Sequence, residues 1–462
     1  MTMLKRYVLI LIVMAAAVAL HAQEWVELFN GKDLKGWEKL DGSAEYRVEN
    51  GEVIGVSKTG TPNTFLATGE VFGDFILEYE MKMDRGLNSG VQFRSVALQP
   101  DGSARVNGYQ VECDDHDTRP WAGGIYEEAS RGWLYPMAYN MSATKANKRG
   151  QWNSIRVEAV GSTIRTYING VNFANLVDEA RKEGFIALQV HGIGNDEALE
   201  GKEIRWRNIR ILTEEPGKYM FSGVELSPEV SYLDNELTPG QKEEGWKLLW
   251  DGKTSEGWRG ARLDIFPEKG WKMEDGVLTV ESSGGAESAN GGDIVTIKKY
   301  KDFILEVDFR ISKGANSGIK YFVDPDLDTG AGSSIGCEFQ ILDDRNHPDA
   351  NMGVAGNRTL ASLYDLIRAD ALFYGQDNSP KRFNGVGTWN RARIEVRGAQ
   401  VAHYLNGIKV VEYERGTQIW RALVTKSKYN VYPAFGEAEN GHILLQDHGD
   451  QVSFKNVKIL EL

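Results

Sequence analysis

The sequence predicts an all-β protein made of two tandem jelly-roll β-sandwich domains. Three observations support this fold class: motifs recur in the same order in both halves, apolar residues alternate at a period of two, and Asp-Gly or Asn-Gly pairs separate the runs. Helical periodicity is nearly absent from the 462 residues. Many short antiparallel strands favour two packed sheets, a fold that often binds saccharides.

The duplication rests on segments that match in order. Matching pairs are 28–37 with 249–258, 74–81 with 302–309, 88–91 with 316–319, and 189–192 with 446–449. We therefore predict a first domain over residues 23–213 and a second over 246–462. The polar, proline-containing segment 214–245 is predicted to be a linker. The second copy carries extra residues within 412–440.

The N-terminus is predicted to be a signal peptide over residues 1–22. Lys5 and Arg6 precede an apolar run at 7–19, and the small residue Ala22 ends the segment. The run is shorter than the roughly 20 residues that span a bilayer. We expect an exported protein that is periplasmic or secreted after cleavage, without membrane insertion.

Charge and cysteine content limit the partners. The net charge of −13 argues against nucleic acid or an anionic membrane surface. A carbohydrate ligand is compatible with this charge, and the sequence does not determine the oligomeric state. Cys113 and Cys337 occupy matching positions, so we expect two unpaired core residues rather than a disulfide. No nucleophile elbow, phosphate loop, dinucleotide fingerprint or HExxH motif is present.

Strand parity selects candidate binding residues. If Tyr109 and its alternating neighbours are buried, Gln110 and Glu112 share the opposite face; the same parity presents Glu338 and Gln340 in the second copy. Acceptors two residues apart on one face suit sugar hydroxyls or a cation, although such faces are often only solvated.

Two cations are expected beside these acceptors. Arg94 has the parity of Gln92, and Lys320 occupies the position that matches Gln92. They are candidate ligand-binding residues or ordinary surface pairs.

A histidine motif ends each copy. Gln189 and His191 share one strand face, and Gln446 with His448 repeats the arrangement. Histidine exchanges protons near neutral pH, so His191 and His448 are candidate catalytic residues. A structural role is the alternative.

Aromatic loops follow the strands that carry the acceptors. They contain Trp121, Tyr126, Trp133 and Tyr135 in the first copy and Tyr364, Phe373 and Tyr374 in the second. These rings could stack on a pyranose or close the core. Glu127 and Asp365 follow aligned tyrosines and are candidate acids or ligands.

Segments 88–91, 108–112, 121–136 and 444–449 resemble the 3-keto-disaccharide hydrolase family, formerly called domain of unknown function 1080. The resemblance covers nearly all of both copies. It implies concanavalin A-like jelly rolls and cleavage of glycosides already oxidised at C3, by hydrolysis or elimination.

The resemblance also implies roles for individual residues. A C3 ketone acidifies the C2 proton, which His448 would remove as the base. Sugar binding or enolate stabilisation falls to Lys320, Glu338, Gln340 and Gln446, and Asp365 or Asp343 could assist the leaving group. A divalent cation could serve as the electrophile.

The first copy has Val190 where the second has Asp447, the residue common in the family. We therefore expect the second copy to be catalytic and the first to be a second site or a sugar-binding companion. Two other functions stay open: a non-catalytic, lectin-like protein, and an ordinary glycosidase with two carboxylates.

Overall fold

The structure, a computed structural model, describes residues 25–98, 104–327, 332–370 and 381–462. The predicted signal peptide at 1–22 and the residues Phe373 and Tyr374 lie outside this part of the chain. None of the helices in these ranges is long and apolar enough to cross a membrane.

The first copy is built from short strands joined by tight turns. Its strands are β1 Val26–Glu27, β2 Trp37–Asp41, β3 Glu45–Glu49, β4 Glu52–Val56, β5 Thr64–Thr68, β6 Phe75–Met83, β7 Asn88–Leu98, β8 Ala104–Asp114, β9 Ile125–Glu128, β10 Gly132–Tyr135, β11 Asn153–Val160, β12 Thr163–Ile168, β13 Val171–Val177, β14 Phe185–Val190 and β15 Glu203–Leu212. Short 3-10 helices cover Met137–Tyr139 and Met141–Ala146.

The segment between the copies contains a 3-10 helix, Pro216–Tyr219, the strand β16, Val230–Ser231, and the helix α1, Pro239–Glu244. Thr238 caps α1, because its hydroxyl accepts from the backbone N–H of Gln241.

The second copy repeats the strand pattern and adds a helical insertion. Its elements are β17 Lys247–Leu248, β18 Trp258–Gly260, β19 Trp271–Glu274, β20 Val277–Val280, β21 Ile294–Thr296, β22 Phe303–Ile311, β23 Asn316–Asp324, β24 Ile335–Leu342, β25 Asn390–Arg397, β26 Gln400–Leu405, β27 Ile408–Glu414, α2 Gln418–Thr425, β28 His442–Leu445 and β29 Val452–Glu461. Pro348–Asn351 and Lys428–Val431 form 3-10 helices.

Each copy is a sandwich of two sheets, whose strands are antiparallel apart from the β13–β16 pair. In the first, the order β16-β13-β12-β11-β6-β15-β4-β3 faces the order β10-β9-β8-β7-β14-β5-β2. In the second, β19-β20-β29-β22-β25-β26-β27 faces β18-β21-β28-β23-β24. The Asn-Gly turns form as predicted, since Asn169 and Asn406 have φ of 51° and 48°.

The predicted parity is confirmed in both cores. Tyr109, Val111 and Cys113 are buried in one hydrophobic cluster, and Cys337 and Phe339 are buried in the other. Both cysteines are free thiols. The sheet faces that bear Gln110 and Glu338 therefore point away from the cores, where they can build a site.

The predicted linker packs against both copies. β16 pairs in parallel with β13, and Tyr232 donates its hydroxyl hydrogen to the Leu134 carbonyl at 3.1 Å. From the second copy, Arg391 donates to the Ser231 carbonyl at 2.8 Å and lies 4.3 Å from the Tyr232 ring. Segment 214–245 thus forms an ordered seam between the domains.

Candidate active site

The smaller sheet of the second copy carries an open cleft on its outer face. Six of the residues predicted from the sequence line it: Lys320, Glu338, Gln340, Tyr364, Gln446 and His448. The cleft also includes Glu287, Asn316, Ser333 and Lys428, which sequence reasoning did not propose. Residues from β23, β24 and the loops after β28 and α2 thus converge on one polar site.

Lys320 and Glu338 form an ion pair across the cleft floor. They are cross-strand neighbours on β23 and β24, and Lys320 Nζ lies 3.6 Å from Glu338 Oε2. Lys320 also donates to the Ser334 carbonyl at 3.1 Å and to the Ser333 hydroxyl. Both side chains are about 95% buried, so the strands fix the positive charge at one point.

Asp293 supports this ion pair from below. Its carboxylate accepts from the Ser333 hydroxyl at 2.5 Å and from the backbone N–H groups of Ser334 and Asp447, each at 3.0 Å. Burial raises the pKa of Asp293, and the nearby Lys320 charge opposes that shift. Asp293 therefore links Lys320 to the loop that carries Gln446 and His448.

His448 lies at the other end of the cleft. Asn316 and His448 are in contact, with 3.3 Å between Asn316 Nδ2 and His448 Nε2, and the tautomer of the imidazole decides which of the two side chains donates. The Gln340 amide contacts Asn316 Oδ1 at 3.2 Å and lies 3.0 Å from Glu338 Oε1, so the amides connect His448 to the ion pair. His448 is partly exposed and can accept a proton from a bound molecule.

Gln446 has an unpartnered acceptor in the cleft that His448 also lines. Its Nε2 donates to Glu287 at 3.4 Å, while its buried Oε1 has no hydrogen-bond partner among the described residues. A buried carbonyl oxygen without a donor is costly, and a sugar hydroxyl would satisfy it.

Asp365 and Asp343 do not reach the cleft. Asp365 accepts from Arg358 Nε and from the backbone N–H of Lys428, each at 2.7 Å. Asp343 accepts from the Gly314 N–H at 2.8 Å and from Asn346 at 2.7 Å, contacts that lower its pKa although burial opposes them. The geometry contradicts their predicted roles, because both carboxylates hold loops in place.

The first copy carries a related row of polar side chains with a different charge, formed by Gln92, Gln110, Glu112 and Gln189. Gln92 takes the place of Lys320 and donates to Gln110 Oε1 at 2.5 Å, and Gln189 Nε2 donates to the same oxygen at 2.9 Å. Gln110 donates to Glu112 at 2.8 Å. Burial raises the pKa of Glu112 to about 8. This row is therefore largely neutral near pH 7, and its amides bond to one another, although Gln189 Oε1 has no partner among the described residues.

Arg94 leaves the predicted face altogether. The β7–β8 register shifts after Phe93, and Arg94 itself has φ of 45°, which marks a β-bulge. Its guanidinium donates to the Gly73 and Gly161 carbonyls at 2.9 and 2.8 Å. The prediction of ligand binding by Arg94 is wrong, because the bulge turns the side chain into a buried structural contact.

Glu127 is equally committed to structure. It is 1% exposed and accepts from Arg131 at 2.5 Å and Arg181 at 2.7 Å. These two arginines lower its pKa despite the opposing effect of burial. A carboxylate with a lowered pKa that is paired with two arginines is a poor proton donor, so the geometry gives Glu127 a structural contact in place of its predicted role as an acid.

The predicted aromatic residues of the first copy lie at the seam between domains. Trp121 packs on Arg119 at 4.4 Å, and the Tyr126 and Trp133 rings lie 5.5 Å apart. Arg382 of the second copy lies 4.9 Å from the Trp133 ring.

His191 directly follows β14, and its Nδ1 lies 2.8 Å from the Gly192 carbonyl oxygen. Burial lowers its pKa. The imidazole of the first copy is thus favoured in its neutral form.

A family model described as the 3-keto-alpha-glucoside-1,2-lyase-like domain matches residues 24–212 and again residues 245–460. The chain belongs to this family. A 3-keto-disaccharide hydrolase of Bacteroides thetaiotaomicron is 38% identical over 239 residues, which cover 47% of this chain and 78% of that protein. The family places the chain among carbohydrate-active hydrolases.

Solved structures of similar proteins include two from Parabacteroides distasonis ATCC 8503, both described as candidate glycosyl hydrolases. One is 30% identical with a TM-score of 0.42 and covers 50% of this chain and 99% of its own. The other is 26% identical with a TM-score of 0.35 and covers 47% of this chain and 99% of its own.

The cleft does not offer a ready cation site. Across the described ranges, no three His, Cys, Asp or Glu side chains gather in a way that could hold a metal ion. The oxygen donors that line the cleft include the amides of Asn316, Gln340 and Gln446 and the carboxylates of Glu287 and Glu338.

One of the residues that sequence reasoning missed had a visible signal. Lys428 lies in the inserted segment 412–440, which only the second copy contains. Asp447, which stands where the first copy has Val190, has a structural role. Its carboxylate accepts from the Gly292 and Gly449 N–H groups, each at 3.0 Å. Asp447 therefore anchors the loop that carries Glu287.

Proposed function

We propose that the second copy cleaves the glycosidic bond of 3-keto-glycosides, with His448 as the base that removes the C2 proton. The single observation that carries this proposal is the convergence of an imidazole, a fixed ammonium and an open amide acceptor in one cleft. Elimination of the C1 substituent, followed by addition of water, would complete hydrolysis.

Each cleft residue then has a chemical task. Lys320 supplies a fixed positive charge that stabilises the negative charge developing on the C3 oxygen. Gln446 Oε1 accepts a hydrogen bond from a sugar hydroxyl, and Glu338 can accept another. After proton abstraction, the His448 imidazolium or solvent returns a proton to the departing oxygen. Asp365 and Asp343 do not supply it, because both carboxylates accept hydrogen bonds outside the cleft.

The test uses an aryl 3-keto-glucoside and follows release of the phenol. Wild type should release it, and His448→Ala should lower the rate by roughly 100-fold or more, the usual contribution of a general base. His191→Ala is the matched variant in the first copy and should retain the rate. Failure of wild type to release phenol, or equal rates for both variants, would contradict the proposal.

For the first copy, we propose saccharide binding without cleavage. The supporting observation is the exchange of Lys320 and Glu338 for two glutamines, which removes the fixed cation. Calorimetric titration of a His448→Ala protein with trehalose tests this function. Binding that Trp121→Ala abolishes would support it, and no binding would contradict it.

We also propose that the protein is exported, on the evidence of the basic and apolar N-terminal segment. Cell fractionation followed by N-terminal sequencing tests this. Recovery from the cytoplasm with residues 1–22 intact would refute export.

A further inference from the structure

Two lysines line the cleft, and their surroundings differ. All three hydrogens of the Lys320 ammonium have neighbours, in Ser333, Ser334 and Glu338. Lys428 Nζ has no acceptor within hydrogen-bond distance among the described residues; its contacts are the faces of Tyr364 at 4.3 Å and Tyr429 at 5.3 Å. Lys320 is thus a fixed charge, whereas Lys428 is an amine that bonds to no acceptor.

The insertion of the second copy places Lys428 in the cleft. α2 packs through Trp420, whose ring stacks on Tyr413 at 5.2 Å and whose Nε1 donates to the Phe435 carbonyl at 3.1 Å. The following 3-10 helix begins at Lys428, whose backbone N–H is held by Asp365. The chain around Lys428 is therefore rigid, while its side chain faces the site.

The environment also favours the neutral amine. Desolvation by the surrounding atoms lowers the pKa of Lys428. The negative charge of Glu338 opposes this shift, and the positive charge of Lys320 adds to it. The residue nonetheless stays exposed, so a bound molecule can reach its nitrogen. Amines in such settings attack ketones.

We propose that Lys428 is a nucleophile that condenses with the C3 ketone of the substrate to form an iminium ion. This inference rests on the proposed function, because it needs a 3-keto sugar. The nitrogen lone pair bonds to C3, and the carbonyl oxygen leaves as water after accepting protons. An iminium acidifies the C2 proton far more than a ketone does. In this route Lys320 stabilises the negative charge on the C3 oxygen while the amine adds, before that oxygen leaves.

The remaining steps need only water as a further reactant. His448 takes the C2 proton, and the C2–H electrons form an enamine. The enamine nitrogen then expels the C1 substituent, which accepts a proton and departs as an alcohol. Water hydrolyses the resulting unsaturated iminium, which frees Lys428 and leaves an enone for hydration.

The first experiment traps the iminium. The probe is 3-keto-1,5-anhydroglucitol, which has a ketone at C3 but no leaving group at C1. With cyanoborohydride, wild type should gain one reduced sugar, and peptide mapping should locate it on Lys428. Lys428→Arg should remain unlabelled, whereas Lys426→Arg, on the same insertion, should label as wild type does.

The second experiment measures turnover of an aryl 3-keto-glucoside by the same proteins. Lys428→Arg retains a long basic side chain but cannot form the iminium, so its kcat should fall by roughly 100-fold or more, the scale on which a catalytic group acts. Lys426→Arg should match wild type.

The outcomes separate the two proposals. Wild-type turnover without an adduct on Lys428, or Lys428→Arg turnover within threefold of wild type, would overturn the iminium and leave the proposed function intact. An adduct on Lys320 or spread over surface lysines would also overturn it. No turnover and no adduct in wild type would remove both proposals together.

Discussion

The two copies share one scaffold but place different groups at the same pair of strand positions. In the second copy, Lys320 faces Glu338 across β23 and β24; in the first, Gln92 faces Gln110 across β7 and β8. Both members of the pair differ together, which keeps each buried pair satisfied. The comparison shows how a duplicated domain can lose a cation without leaving an unpaired buried charge.

A second difference lies one step along the same strands. Glu112 of the first copy occupies the position of Gln340, and its raised pKa makes the protonated carboxyl a near equivalent of an amide. The first copy therefore presents hydrogen-bonding groups with little charge. Such a face suits a neutral saccharide, whereas the second copy can stabilise a developing oxyanion.

The largest expected effect comes from giving the second copy the pair found in the first. Lys320→Gln combined with Glu338→Gln should lower turnover of an aryl 3-keto-glucoside by roughly 100- to 1,000-fold, the cost of losing one preorganised charge-stabilising group. Folding should persist, because the first copy shows that the amide pair is compatible with the strands. Circular dichroism checks folding.

The reciprocal control is Gln92→Lys combined with Gln110→Glu, which should leave turnover unchanged. If the second-copy variant instead keeps wild-type turnover, the contrast between the copies has no catalytic meaning.

A smaller effect is expected from Asp447→Val, which copies Val190. The variant loses two buried charge-assisted hydrogen bonds to Gly292 and Gly449, so the free energy of unfolding of the second copy should fall by about 3 kcal/mol. Urea unfolding measures this change. Asp450→Asn, at a partly exposed neighbour, is the comparison variant; an equal loss in both would show that the 447 contacts are not special.

The smallest effect concerns pH. Glu112 has a folded pKa of about 8, well above its unfolded value near 4.3, so its contribution to stability is complete below pH 4 and is lost as pH rises through 8. Glu112→Gln should therefore gain stability relative to wild type by about 2 kcal/mol between pH 6 and pH 8.

Thermal unfolding at the two pH values measures the difference. Glu70→Gln, at an exposed carboxylate, should show no such trend. A constant difference between Glu112→Gln and wild type would mean that Glu112 is not protonated in the folded protein near neutral pH.

Much of the fold and part of the site were predictable from the sequence. Matching segments revealed the duplication, and alternation along β8 and β24 separated Cys113 and Cys337 from the polar face. Six predicted residues do meet in one cleft. Periodicity is a local property of the chain, which is why it gave the correct strand faces.

Only the tertiary structure decided which polar groups are available for chemistry. The sequence could not show that a bulge withdraws Arg94, that arginines hold Glu127, or that Arg358 and a backbone N–H engage Asp365. It also could not show that an insertion places Lys428 opposite the strands. In each case the deciding atoms come from distant segments, so the answer depends on three-dimensional contact rather than on local pattern.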